Sequence, residues 1–319
     1  MNVTKPTIQF ALFLAGVVRL TATALNPTCE AVNRHALELM DSGQVVQAEA
    51  QLSQFASDDK FCQGVTLSNL TSALERLGKL DLAEQTARRS VGLLEEALGP
   101  SAPILRAPLL LLVQLAIAKG QFGKASTLLA RVESLAGPSH AELAVAKGLR
   151  ATLSSELGNL AAAEAEYRQS ISERGLAGQS ETPEIAPELC NLAMLYLNDG
   201  RVTDALALLE RSLRIAEKSP LDADTYIKTL LVLAVARAKN QESKAADVHF
   251  RRALDLVDSL PPDFRREIGR RVYLQYASFL QDEGRKREAK MFAKEAHARF
   301  GPDPATLTVG VNSLLAKGQ

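Results

Sequence analysis

Seven times along the chain a glycine, replaced once by glutamine, is followed five residues later by alanine inside an apolar helical pattern. The pairs are Gly43/Ala48, Gly78/Ala83, Gly120/Ala125, Gly158/Ala163, Gly200/Ala205, Gln241/Ala246 and Gly284/Ala289, at steps of 35, 42, 38, 42, 41 and 43 residues. A unit of this size cannot bury its own apolar face and must stack on its neighbours, so the period specifies a helical repeat array. Each glycine is expected to end a helix in a left-handed turn. Each alanine is expected where the next helix crosses closely over the first.

The clearest unit runs from Pro187 to Ile215. Leu189, Leu192, Ala193 and Tyr196 share one helical face, and Leu206, Leu209, Ser212 and Leu213 share another. That pattern is a helix-turn-helix hairpin, and it resembles the tetratricopeptide repeat, in a long form similar to the kinesin light chain repeats. The resemblance covers about residues 30 to 300. It implies an all-α, right-handed α-solenoid of about seven repeats with 14 or more helices. Two copies depart from the pattern: the position of Leu192 is taken by His35 in the first and by Arg150 in the fourth.

Prolines at 100, 138, 183, 220, 261, 262 and 302 separate the hairpins, because proline cannot continue a helix. Residues 172–183 form the long polar loop, either a flexible joint or a longer inter-repeat turn. No segment alternates like a run of strands, and an array core keeps growing with each copy, so residues 25–303 read as one repeat domain. Residues 304–319 lack the repeat pattern. Leu307, Val309, Val311, Leu314 and Leu315 would cap Tyr273, Tyr276 and Phe292, or else form a disordered tail.

Lys5, the apolar stretch Ile8 to Val18 and Ala22-Thr23-Ala24 read as a secretory signal peptide over residues 1–24. The expected location is therefore outside the cytoplasm of a bacterium, periplasmic or secreted. The alternative is a cytoplasmic chain with an unstructured or helical N terminus. Cys29 and Cys62 lie 14 and 16 residues before their turn glycines, near the starts of adjacent first helices. They either meet in a disulfide stapling the first repeats or remain two free thiols.

Charge is balanced, with 37 basic and 37 acidic residues, so no bulk field draws the chain to nucleic acid or anionic membrane. A local excess runs from Phe264 to Arg299, with ten basic residues against five acidic. It reads as a solvated terminal face, with a polyanion or acidic-partner patch as the alternative. There is no Gly-rich phosphate loop, nucleophile elbow, His-Glu-x-x-His or paired Cys-x-x-Cys, and the four histidines fall in separate repeats without ligand spacing. Nothing here calls for catalysis, a cofactor or a metal.

The resemblance implies a concave groove, lined by first helices, that binds a peptide or protein partner. In register its positions are Cys190, Asn191, Met194, Leu197 and Asn198 in repeat five, and Lys228, Leu231, Val235 and Lys239 in repeat six. The Lys/Asn pair with which a variant of the fold clamps a terminal carboxylate is missing from every copy. Asn69 and Asn191 match an asparagine that similar repeats use on a bound peptide's backbone, or they pair with the neighbouring hairpin. The expected function is a non-catalytic interaction scaffold. A regulatory component of a signalling system and an enzyme in an atypical helical array are the alternatives.

Overall fold

The computed structural model describes residues 27–218, 223–260 and 262–301. The expected leader at 1–24 and the segment at 304–319 lie outside them. Among the described residues are fourteen α-helices, two short 3-10 turns and no strand. Helices pair as α1 (Pro27–Asp41) with α2 (Val45–Gln54), α3 (Lys60–Arg76) with α4 (Leu80–Leu98), and α5 (Arg106–Ala118) with α6 (Phe122–Ser134). Four further pairs follow: α7 (His140–Glu156) with α8 (Leu160–Leu176), α9 (Ala186–Asn198) with α10 (Val202–Lys218), α11 (Ala223–Lys239) with α12 (Ser243–Val257), and α13 (Pro262–Asp282) with α14 (Lys286–Phe300). The fold is the all-α solenoid class that the period implies.

The turn glycines have the expected geometry. All six have φ between 67° and 81°, and Gln241 joins them at 63° as the one non-glycine with positive φ among the described residues. This left-handed residue reverses the chain so that the next amide reaches a carbonyl five residues back. Arg201 N–H donates to the Tyr196 carbonyl at 2.8 Å, and Glu242 N–H to that of Arg237 at 2.9 Å. The seven paired alanines are buried, six of them completely. A second buried series lies seven residues before each turn: Ala36, Thr71, Val113, Ala151, Ala193, Ala234 and Ala277.

An ion-pair ladder joins successive hairpins. An acid six residues after one turn meets a base one residue after the next turn: Glu49 with Lys79 at 3.3 Å, Glu164 with Arg201 at 3.1 Å, and Asp247 with Arg285 at 2.7 Å. Aromatic rings anchor two rungs. Tyr196 OH lies 3.2 Å from Glu164 Oε1 with Arg201 stacked on its ring, and Tyr276 OH donates to Asp247 at 2.8 Å.

The chain divides into two compact units. The first comprises residues up to Ala116 together with Gly123–Pro138. Leu37, Met40, Leu52, Leu67, Leu70, Leu74 and Leu115 fill part of its core. Cys29 and Cys62 are joined as a disulfide between α1 and α3, Cα atoms 6.1 Å apart. Beside it, Asn33 Nδ2 donates to the Cys29 carbonyl at 2.9 Å and to Thr66 Oγ1 at 3.0 Å.

The second unit comprises Ile117–Phe122 and the residues from Ser139 onward. Its polar loop is a longer turn, held by charge. The Arg174 guanidinium donates to Gln179 Oε1 at 2.9 Å and, through Nη2, to Glu188 Oε1 at 3.0 Å, both partners being buried. Arg150 lies half-buried in α7, while the adjacent Ala151, in the register of Ala193, is fully buried. The fourth copy therefore keeps its register despite the charged substitution.

Candidate functional site

The first helices α9, α11 and α13 of the second unit pack side by side. α9 follows a 3-10 turn, and each of the three helices is followed by a left-handed residue, so equivalent positions recur on neighbouring helices. Six residues before the turn, Met194 and Val235 are half-buried and Ser278 is exposed. Asn198 and Lys239 are exposed near the helix ends, and Lys228 is half-buried near the start of α11.

Three expected groove positions need correction. Leu197 and Leu231 are each only 3% exposed. Leu197 belongs to the buried cluster that holds Leu209 and Val232, and Leu231 to the one that holds Phe250, Tyr273 and Tyr276. Cys190, in the register of Leu231, is buried as well. These positions face the following repeat. The same register on α13, with no later first helix beyond it among the described residues, leaves Leu274 39% exposed. Leu274 is the apolar surface residue that register carry-over missed; its signal is that it lies on the last of the first helices.

The asparagines pair with neighbouring hairpins. Asn69 Nδ2 donates to Asn33 Oδ1 at 2.7 Å. Asn191 hydrogen-bonds the Tyr167 hydroxyl, which also meets Thr152 Oγ1 at 2.9 Å. Burial pushes the Tyr167 hydroxyl well above its ordinary pKa, against the opposing pull of the Thr152 hydrogen bond. The face is thus apolar along Met194, Val235 and Leu274 with polar groups at its margins. Its chemistry is contact and hydrogen bonding. Among the described residues no group of three or more His, Cys, Asp or Glu side chains can hold a metal, and no helix is long and apolar enough to cross a membrane.

Residues 185–259, spanning α9 to α12, match the tetratricopeptide repeat family model. That segment is similar to tetratricopeptide repeats. Several solved structures share the fold. A Rap protein complexed with Competence and Sporulation Factor gives a TM-score of 0.65 at 11% identity, over 89% of this chain and 78% of that one. NprR in complex with its cognate peptide NprX gives 0.62 at 14% identity, over 90% and 83%. BtubC from P. vanneervenii gives 0.51 at 19% identity, over 68% and 89%. No curated protein matches the chain by sequence.

Proposed function

We propose that this protein is an exported, non-catalytic scaffold that holds an extended segment of one protein partner along the first-helix face of its second unit. The observation that carries the reading is Met194 and Val235, apolar side chains left partly open at the same repeat position, with exposed Leu274 one helical turn before the equivalent Ser278 on α13 and Asn198, Lys228 and Lys239 on the same first helices. A row of apolar contacts flanked by polar groups suits an extended peptide, whose side chains alternate between buried and open. The Rap and NprR structures, each described with a bound factor or peptide, support the class of ligand.

Two measurements test this. Met194→Glu places a charge in the apolar row and is expected to weaken binding of the native partner by tenfold or more, about 1.4 kcal/mol, with the melting temperature kept. Unchanged affinity in the folded variant removes the site. Export is supported by the signal-like leader and by a disulfide suited to an oxidising compartment. Mature protein from the cell envelope or medium is expected to begin at Leu25 by intact mass; full-length chain confined to the cytosol overturns export.

A further inference from the structure

The described chain ends at Gly301, against the first half of α13. Two side chains hold it there: Arg266 Nε and Arg270 Nη2 donate to the Phe300 carbonyl at 3.3 and 2.8 Å. Gly269 allows the close approach, since a Cβ there would come within 2.6 Å of the Phe300 ring. Leu274, 39% exposed, follows Gly269 by five residues on the same helix, about 8 Å at 1.5 Å per residue. Residues 302–319 therefore start within reach of the first-helix face.

Closing the last hairpin does not call for those residues. In repeat five, Leu197 of α9 and Leu206 of α10 are buried in a cluster shared with α11, and Leu213 of α10 packs against the same helix pair. The equivalent residues of the last repeat are Gln281, Lys290 and His297, all exposed. A solenoid whose final face is polar needs no further cover. The rings that a cap would protect already cover one another. Tyr273 meets Phe292 and Phe300 at 5.8 and 5.5 Å, and Tyr276 meets Phe250 and Phe292 at 5.5 and 4.8 Å between ring centres.

From 302 to 319 the sequence carries only two charged side chains, Asp303 and Lys317, and Leu307, Val309 and Val311 alternate with Thr306, Thr308, Gly310 and Asn312. A period of two built from β-branched residues and glycine suits an extended segment and not another repeat helix. We propose that residues 307–315 lie extended across the first-helix face of their own chain, where a protein partner must displace them. This rests on the reading of that face as a site for an extended segment. At about 3.3 Å per residue, Pro302 to Thr306 span up to about 17 Å, enough to bring Leu307 to Leu274. Packed helix axes lie about 8–10 Å apart, so Val311, about 13 Å further on, reaches Val235 of α11, and Leu314 or Leu315 reaches Met194 of α9. A tethered segment meets its site at an effective concentration on the order of millimolar, so it competes without tight intrinsic affinity.

Hydrogen peroxide oxidation of the full chain, read at each methionine by mass spectrometry, tests the placement. Met194 reports on the first-helix face, Met291, 53% exposed on α14, on open surface, and Met40, 5% exposed in the first unit, on global unfolding. The Val309→Glu/Val311→Glu pair is expected to speed Met194 oxidation about threefold or more and to leave Met291 and Met40 at parent rates. An unchanged Met194 rate in the folded pair overturns the proposal. Should the pair fail to fold, a photo-crosslinker still answers: p-benzoylphenylalanine at position 311 of the full chain is expected to mark α11 within the same molecule. Crosslinks confined to α13 and α14, which mean a cap, or formed only between molecules, which mean a second copy, also overturn it. Neither readout uses a partner. An unchanged Met194 rate therefore removes the placement of 307–315 alone, whereas a partner affinity unmoved by Met194→Glu removes the reading of the face.

Discussion

Gln241 occupies a position that the other six copies give to glycine. At φ 63° its backbone sits in the left-handed region, where an L-residue other than glycine costs roughly 1–2 kcal/mol. The side chain is exposed, so it recovers none of that through burial. Gln241→Gly removes the strain but gives the unfolded chain more freedom, worth roughly 0.5–1 kcal/mol. The net expectation is a gain of up to about 1 kcal/mol in urea unfolding, whereas Gly200→Ala, at φ 75°, is expected to lose about 1 kcal/mol. A loss on Gln241→Gly would mean that the glutamine contributes something the backbone geometry does not reveal.

At the scale of helices and their contacts, the rung at Asp247 shows how a repeat is tied to its neighbour. Burial works to raise the Asp247 pKa, but hydrogen bonds from Arg251, Tyr276 and Arg285 outweigh it and hold the carboxyl below its ordinary range. Its stabilisation is therefore present above that range and is lost as pH falls through the depressed value. Tyr276 moves oppositely, pushed up to about 12, chiefly by burial and then by its hydrogen bond to Asp247. A raised pKa favours the neutral phenol, so this contribution is complete below pH 10 and is lost as pH climbs towards 12. Tyr276→Phe is expected to cost about 1 kcal/mol at neutral pH and to flatten the alkaline limb of the stability profile. A parent-like fall between pH 10 and 12, read from urea midpoints, would place that limb elsewhere. The Gly/Ala period made the hairpins and their turns legible in the sequence, because backbone conformation and close packing restrict residue type. The ladder was harder to read, since surface acids and bases are common and only their offset from the turn reveals pairing. Leu197 and Leu231 were misread for a related reason: the first-helix register fixes direction, but burial depends on whether another repeat follows.

In the array as a whole, each repeat of a solenoid gains its stability chiefly from its nearest neighbours, so a perturbation should fade with distance along the chain. The Cys29–Cys62 bond offers a clean perturbation, since it is covalent, local and confined to the first two hairpins. Both cysteines are only 1% exposed, so reductant reaches them after local opening. Closing a loop across a separation of 33 residues stabilises by about 3–4 kcal/mol in the chain-entropy account. The same bond positions Asn33, whose hydrogen bonds to Thr66 and from Asn69 continue the join between α1 and α3. Paired Cys29→Ala and Cys62→Ala substitutions should therefore speed amide hydrogen exchange across α1 to α4 by tenfold or more while leaving α9 to α14 within about twofold of the parent. Equal acceleration in both sets of helices would show that the chain opens as a single cooperative block, and the nearest-neighbour account would fail for this array.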